Sequence, residues 1–117
     1  MFLTALALIP GLAFAANQIA LNCSGTMISG TRKEPAPSQS LVVNMDEGVI
    51  TLGSIGKLSI IKRTENSVSF KGISEDGETE WQGDLDRFSG LAIVSVRRNK
   101  EILRHYQLTC RRPEPLF

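Results

Sequence analysis

Short segments in which polar and apolar residues alternate dominate this chain, and the clearest of them covers residues 78–86. Its acidic and amide side chains fall on one parity, whereas Trp81 and Leu85 fall on the other. This period of two is typical of a β-strand with one face in water. Residues 87–90 then predict a turn into a second apolar run. We therefore expect antiparallel strands that are joined by short turns.

The same alternation recurs at intervals of roughly 8 to 12 residues, a spacing typical of an all-β sandwich or barrel. Asp76-Gly77 is the strongest hairpin signal, and Asp46-Glu47-Gly48 predicts another hairpin. In the strand before Asp76, Val68 and Phe70 are expected to point inward. No segment has apolar residues at helical spacing. The predicted strands, about eight in number, are residues 18–25, 41–45, 49–52, 57–62, 67–72, 78–86, 91–96 and 103–110.

Two segments depart from this simple pattern. Residues 31–40 contain Pro35 and Pro37, and proline cannot donate a hydrogen bond within a sheet. We therefore expect this segment to be a solvent-exposed loop. Residues 91–96 are apolar on both parities, which predicts a strand that is buried on both faces or lies where the sheet bends.

The beginning of the chain has the composition of a secretory signal peptide. Residues 1–16 carry no charge, and Ala13 and Ala15 have the spacing that signal peptidase recognises. Cleavage after Ala15 divides the chain into a signal peptide, residues 1–15, and a single β-barrel-like domain, residues 16–117. The apolar run is shorter than the roughly 18 residues that a membrane span needs, so a retained anchor is the less favoured alternative. No lysine or arginine precedes the run, although signal peptides usually begin with one.

Cys23 and Cys110 are the two cysteines of the chain, and they lie near the two ends of the expected exported domain. In the oxidising compartment that a signal peptide implies, we expect them to form a disulfide. Cys23 shares its parity with Ile19 and Leu21, and Cys110 shares its parity with Leu108, so both cysteines are expected to face the core. Because a disulfide needs α-carbons within about 7 Å, the first and last strands must be neighbours. The predicted fold is an all-β, antiparallel up-and-down meander that closes into a barrel or a flattened sandwich.

The charge of the chain argues against a nucleic-acid partner, because the formal net charge is only +1. The charges nevertheless segregate: residues 75–86 include six acidic and no basic residues, whereas residues 87–112 include seven basic residues and one acidic residue. The basic set is suited to binding an anion, but a solvated face that pairs with the acidic strand is the favoured interpretation. Two cysteines and one histidine without close spacing predict no metal site, and we expect no cofactor.

Few residues are suited to catalysis. His105 is the only histidine and falls on the parity opposite Tyr106, which predicts a solvent-facing side chain. Asp84 and Asp86 lie two residues apart on one strand face, a spacing that permits a carboxylate pair. Pairing with basic residues across the sheet is the favoured alternative for both. The sequence therefore predicts that the protein is not an enzyme. The alternative is a hydrolase that uses Asp84 and Asp86.

Three residues are candidates for a binding site. Trp81 and Tyr106 each combine an aromatic ring with a polar tip suited to a cavity mouth, although core packing is the favoured alternative. Arg87 lies in the predicted turn and is suited to binding a carboxylate. Local bonds to Asp86 and to the turn backbone are its favoured alternative.

Several motifs resemble those of a known group of proteins. Residues 83–90, Gly-Asp-Leu-Asp-Arg-Phe-Ser-Gly, are similar to a Gly-x-Leu-Asp-Arg-x-Ser-Gly turn, and residues 106–110 match a Tyr-x-Leu-x-Cys last strand. Residues 21–25 match a Leu-x-Cys-x-Gly start, and the chain ends in Pro115-Leu116-Phe117. The chain thus resembles a group of short secreted proteins from α-proteobacteria, which implies export and a similar small fold.

A fainter similarity is to the periplasmic inhibitors of lysozyme, which are also small disulfide-closed β-barrels. Their inhibitory loop has the pattern Ser-Gly-x-x-Tyr. The nearest counterpart here is Ser54-Ile55-Gly56-Lys57, which lacks the tyrosine.

Together these features predict a small, non-enzymatic β protein that is periplasmic or secreted. The leading hypothesis is an envelope binding module for a protein or a small apolar ligand, without a nucleic-acid partner and without a stable membrane span. The alternatives are a periplasmic inhibitor of lysozyme-type hydrolases, a structural envelope component and the hydrolase described above.

Overall fold

The computed structural model describes residues 18–53 and 55–113 of the chain. The expected signal peptide and its cleavage site, the tail Pro115-Leu116-Phe117 and Ser54 of the inhibitor-like segment lie outside these residues. The strands of the described residues are β1 Gln18–Ser29, β2 Arg32–Asn44, β3 Val49–Leu52, β4 Gly56–Arg63, β5 Ser67–Ile73, β6 Thr79–Asp86, β7 Leu91–Arg98 and β8 Glu101–Arg111.

The strands form one closed antiparallel barrel, in which each strand pairs with the next along the chain and β8 pairs with β1. This order confirms the predicted meander and decides between a barrel and a flattened sandwich in favour of the barrel. Closure is favourable because it pairs backbone groups that the two edges of an open sheet would leave exposed.

β1 and β8 meet at the disulfide. Cys23 lies directly opposite Cys110 in the β1–β8 ladder, and the two residues are bonded with their Cα atoms 4.0 Å apart. Both side chains are buried in the core. The predicted pairing of the first strand with the last is therefore confirmed.

The core is built from every second residue of the strands, as their pleat requires. Phe70 is fully buried and points inward with Val68, as predicted. Gly83 lies opposite Phe70 on β6, and a Cβ atom at Gly83 would lie 2.6 Å from the phenyl ring. The missing side chain at Gly83 thus leaves space for that ring. Other buried apolar residues are Ala36, Leu41, Val43, Ile50, Leu52, Leu58, Leu85, Ala92, Val94, Val96 and Leu108.

The prediction of a loop at residues 31–40 is wrong, because most of this segment is the first part of β2. Here β2 pairs with β1 alone: Pro35 lies opposite Thr26, whereas pairing with β3 begins at Leu41. A strand with a single neighbour accommodates proline, because its open side has no ladder in which an N–H is needed. The register of β1 and β2 also shifts around Pro37, and such irregularities tolerate proline as well.

Of the two alternatives predicted for residues 91–96, burial on both faces is wrong, whereas a position at a bend of the sheet stays a prediction. Ala92, Val94 and Val96 are buried, whereas Leu91 and Ile93 are 44% and 42% exposed. The wall of a barrel has the core on one side only, so β7 alternates like the other strands in spite of its apolar sequence.

We expect a Cys23→Ala/Cys110→Ala variant to lose about 2–5 kcal/mol of unfolding free energy. The disulfide joins residues separated by 87 positions, so its loss greatly increases the conformational freedom of the unfolded chain. Urea unfolding of the oxidised protein and of the variant measures the difference, and wild-type protein reduced before unfolding is the control. Equal unfolding midpoints for oxidised wild type and variant would contradict this prediction.

Candidate functional site

A cavity of about 470 Å³ opens at the end of the barrel where β1 begins. Its apolar wall consists of inward-facing side chains and one side chain that follows β2: Ile19, Leu21, Val43, Met45, Val68 and Leu85. Residues 86–90 and 110–112 complete the lining. We refer to residues 86–90 together with Arg111 and Arg112 as the mouth of this cavity.

The cavity exists because β1 extends beyond its ladder with β8. The β1–β8 pairing reaches only to Asn22, so residues 18–21 pair with β2 alone. Ile19 and Leu21 share the inward parity of Cys23, as predicted, but no β8 residue is paired beside them. Ile19 is consequently 37% exposed and lines the cavity instead of a closed core.

The β6–β7 turn forms one side of the mouth and is held by hydrogen bonds at both of its ends. Asp86 Oδ1 accepts the backbone N–H groups of Phe88 and Ser89, each at 2.9 Å. The N–H of Gly90 donates to the Asp86 carbonyl at 3.0 Å, and the N–H of Cys110 donates to the Gly90 carbonyl at 2.7 Å. The turn is therefore attached to the strand that carries the disulfide.

Gly90 is the residue that makes this attachment possible. Its φ of +78° lies in the left-handed region that side chains disfavour. A Cβ atom at this position would also overlap the backbone carbonyl oxygen of Cys110. Any larger residue would thus displace the turn from β8 and change the shape of the mouth.

Arg87 lines the mouth, but it does not bond Asp86 as the sequence analysis favoured. Its Nη1 donates to the carbonyl of Thr64 at a long 3.5 Å, and its backbone N–H donates to the carbonyl of Asn66 at 2.7 Å. Asp86 Oδ1 is occupied by backbone N–H groups instead. The guanidinium of Arg87 is therefore exposed and only weakly held.

Two further arginines lie at the mouth: Arg111 at the end of β8 and Arg112 directly after it. In the sequence, both were distinguished only as members of the basic set of residues 87–112. The ion pairs of the described residues join other side chains: Arg32 with Glu34, Lys71 with Glu80 and Arg98 with Glu78. The lining of the mouth thus includes three arginines and one acidic residue, Asp86.

Trp81 and Tyr106 are not brought together with Arg87. Trp81 precedes Leu85 by four residues on β6 and so lies about 13 Å from it, towards the other end of the barrel. Both rings are half-buried and pack against the core, and the hydroxyl of Tyr106 accepts a hydrogen bond from Arg104 Nε at 3.1 Å. Neither ring lines the cavity described above. A role in ligand binding stays a prediction for both.

The residues that sequence analysis considered for catalysis are used in other ways. Asp84 accepts a hydrogen bond from the hydroxyl of Ser69, and Asp86 holds the turn, so neither makes the ion pair that was favoured. His105 lies opposite Ser95 in the β7–β8 ladder, on the outward parity of β8, as predicted. Within residues 18–53 and 55–113, no cluster of three or more His, Cys, Asp or Glu side chains is suited to holding a metal ion.

Comparison with protein-family models, with curated proteins and with solved structures returned no match. The resemblance to secreted α-proteobacterial proteins and the fainter one to lysozyme inhibitors therefore stay predictions from the sequence. In the part of the chain that the structure describes, no helix has the length and hydropathy to cross a membrane.

We expect Gly90→Ala to destabilise the barrel by about 1–3 kcal/mol more than Gly77→Ala does. The two glycines have nearly equal φ angles, +78° and +76°, but a Cβ atom at Gly77 would have no atom within 4 Å. The difference between the variants thus isolates the overlap with Cys110 from the cost of the left-handed backbone. Urea unfolding of both variants measures it, and equal losses would show that the turn does not depend on this close approach.

The stability that Asp86 contributes is expected to depend on pH. The hydrogen bonds from the backbone N–H groups of Ser89 and Phe88 lower the pKa of the Asp86 carboxyl. A carboxyl whose pKa is lowered in the folded state stabilises the fold above the unfolded-state pKa, and this contribution is lost as the pH falls through the folded-state pKa. Asp86→Ala should therefore lower the melting temperature at neutral pH, and its difference from wild type should shrink below about pH 4.

Thermal unfolding monitored by circular dichroism between about pH 2 and pH 7 tests this expectation. Asp86→Asn is the matched control, because it keeps an acceptor oxygen but has no charge, and it should lose less stability than Asp86→Ala. A deficit of Asp86→Ala that stays constant across this pH range would show that the ionised form of Asp86 has no part in holding the turn.

Proposed function

We propose that this chain is a small, exported, non-enzymatic binding module of the cell envelope that takes a small ligand into the cavity at the β1 end of its barrel. The observation that supports this proposal is the cavity itself, which has a volume of about 470 Å³ and six apolar side chains in its wall. Cavities that bind small molecules have volumes of roughly 300–1,000 Å³ and walls that are mostly apolar.

The structure of the mouth supports the proposal that the cavity is a binding site and not a chance defect in packing. Apolar space is costly to leave unfilled, because the side chains around it lose contacts with other atoms. Here the ladder of β8 stops at Asn22, and a turn hydrogen-bonded to β8 forms one side of the opening. A mouth whose backbone is held in place loses little conformational entropy when a ligand binds.

Export is supported by two independent features of the chain. The apolar, uncharged residues 1–16 have the composition of a signal peptide. Cys23 and Cys110 form a disulfide, and disulfides persist mainly in oxidising compartments such as the bacterial periplasm. We therefore propose a periplasmic or secreted location for the binding module.

A non-enzymatic role is the other part of the proposal. Asp84 and Asp86 have separate hydrogen-bond partners, and His105 lies on the outward parity of β8, so the three do not converge on the cavity as a catalytic group would. Asp86 is the one of the three that lines the cavity, and its Oδ1 holds the backbone of the turn.

Filling the cavity is expected to abolish the binding of an apolar probe. Leu21 lies in the cavity wall, so the larger side chain of Leu21→Trp should occupy the space and weaken the binding of the uncharged dye Nile red by about tenfold or more. Ile93→Trp places the same side chain on the outward, 42% exposed position of β7 and is the matched control. Dye fluorescence is titrated with each protein after it has been exported to a bacterial periplasm and purified.

Three results are possible in this experiment. Loss of dye binding in Leu21→Trp but not in Ile93→Trp supports the cavity as a ligand site. Equal binding by both variants means that the dye binds elsewhere, which contradicts the assignment. If wild-type protein binds no dye and native mass spectrometry detects no co-purified ligand, the proposal of a small-ligand module is wrong.

A further inference from the structure

We infer that the ligand is a single-chain amphiphile with an anionic head group, bound with its apolar chain in the cavity and its head group among the arginines of the mouth. This inference rests on the proposed function and names the chemical class of ligand that the same cavity would take. It is carried by the way in which apolar and charged side chains occupy different sides of the cavity lining.

The wall of the cavity selects for an apolar chain. Its six side chains are hydrocarbons, apart from the thioether of Met45, and none of them carries a charge. A polar group placed among them would lose its hydrogen bonds to water without gaining others. An alkyl chain has no hydrogen bonds to water to lose, and its burial is favourable because it removes apolar surface from water.

The mouth selects for negative charge. Arg87, Arg111 and Arg112 line it, and a guanidinium keeps its charge at any physiological pH. Asp86 is the one acidic residue of this lining, and its Oδ1 accepts two backbone N–H groups. Among the residues that line the cavity, three are basic and one is acidic. This lining favours an anionic group over a cationic one.

The order of these groups along the chain gives the orientation of the ligand. Arg87 follows the inward-facing Leu85 by two residues, and Arg112 follows the buried Cys110 by two residues. The arginines therefore lie where the β6–β7 turn and the end of β8 line the opening, whereas four of the six apolar side chains come from β1, from the end of β2 and from the residue that follows it, on another side of the cavity. A guanidinium can donate two parallel hydrogen bonds to a carboxylate or to a phosphate, so both head groups fit this chemistry.

The test compares ligands that share one alkyl chain but differ in the head group. Dodecanoate, dodecyl phosphate and dodecanol are titrated below their micellar concentrations into the exported, purified protein by isothermal titration calorimetry. We expect both anions to bind about tenfold or more tightly than the alcohol, because a charged hydrogen bond adds to the burial of the chain. The ratio between dodecanoate and dodecyl phosphate identifies which anionic head group the mouth prefers.

Matched arginine variants locate the head group. Arg87→Gln, and separately Arg111→Gln/Arg112→Gln, should each weaken the binding of the anions by about tenfold and leave that of dodecanol unchanged. Arg97→Gln removes the same charge from an exposed position at the other end of β7, away from the mouth, and should change none of the affinities. Circular dichroism melts confirm that each variant is folded.

The outcomes separate this inference from the proposed function. Equal affinities for the anions and for dodecanol would overturn the preference for an anion. The proposed function, a module that binds small apolar ligands, would still stand. Equal losses in Arg87→Gln and Arg97→Gln would overturn the mouth as the position of the head group. Binding of neither Nile red nor any dodecyl ligand would overturn both the inference and the proposed function.

Discussion

The pairing of β1 with β8, fastened by the Cys23–Cys110 disulfide, is the constraint on which the rest of the structure depends. A meander of short strands has two open edges, and each edge exposes backbone groups that water or another chain must satisfy. Joining the two edges turns the inward faces of all strands towards one core. It also places the ends of the described chain side by side, so that Ile19 and Arg112 line the same opening.

The same pairing explains why the barrel is filled along most of its length and open at one end. Where β1 and β8 run together, β1 has a ladder on both of its sides, and Cys23 and Leu108 are completely buried. On the amino-terminal side of Asn22 the β1–β8 ladder ends, so the inward side chains of residues 18–21 have no paired β8 residue beside them. The β6–β7 turn occupies part of the gap, since it is hydrogen-bonded to Cys110 through Gly90. The cavity thus results from the β1–β2 ladder extending farther than the β1–β8 ladder, and not from any single residue.

This dependence shows what the sequence could predict. Alternation of apolar and polar residues is a local property, so it predicted the strands, the hairpins and the inward direction of Val68 and Phe70 correctly. It failed at Pro35, because whether a strand has one neighbour or two is decided by residues distant in sequence. It failed at Ile93 for a similar reason, since an apolar side chain does not reveal whether a second layer covers it. The turn at Arg87 could be recognised from its motif, but the cavity beside it could not, because its wall comes from several strands.

The charges on the two sides of the β6–β7 turn have different partners at the two ends of the folded barrel. Towards the end of the barrel that carries Trp81, acidic residues of β6 and of the turn before it find basic partners, Glu80 with Lys71 and Glu78 with Arg98. At the mouth the acidic member, Asp86, is engaged by backbone N–H groups, and no described carboxylate forms an ion pair with the arginines nearby. One run of charges therefore contributes surface ion pairs at one end of the barrel and leaves accessible positive charge at the other, beside the apolar space that we propose holds a ligand.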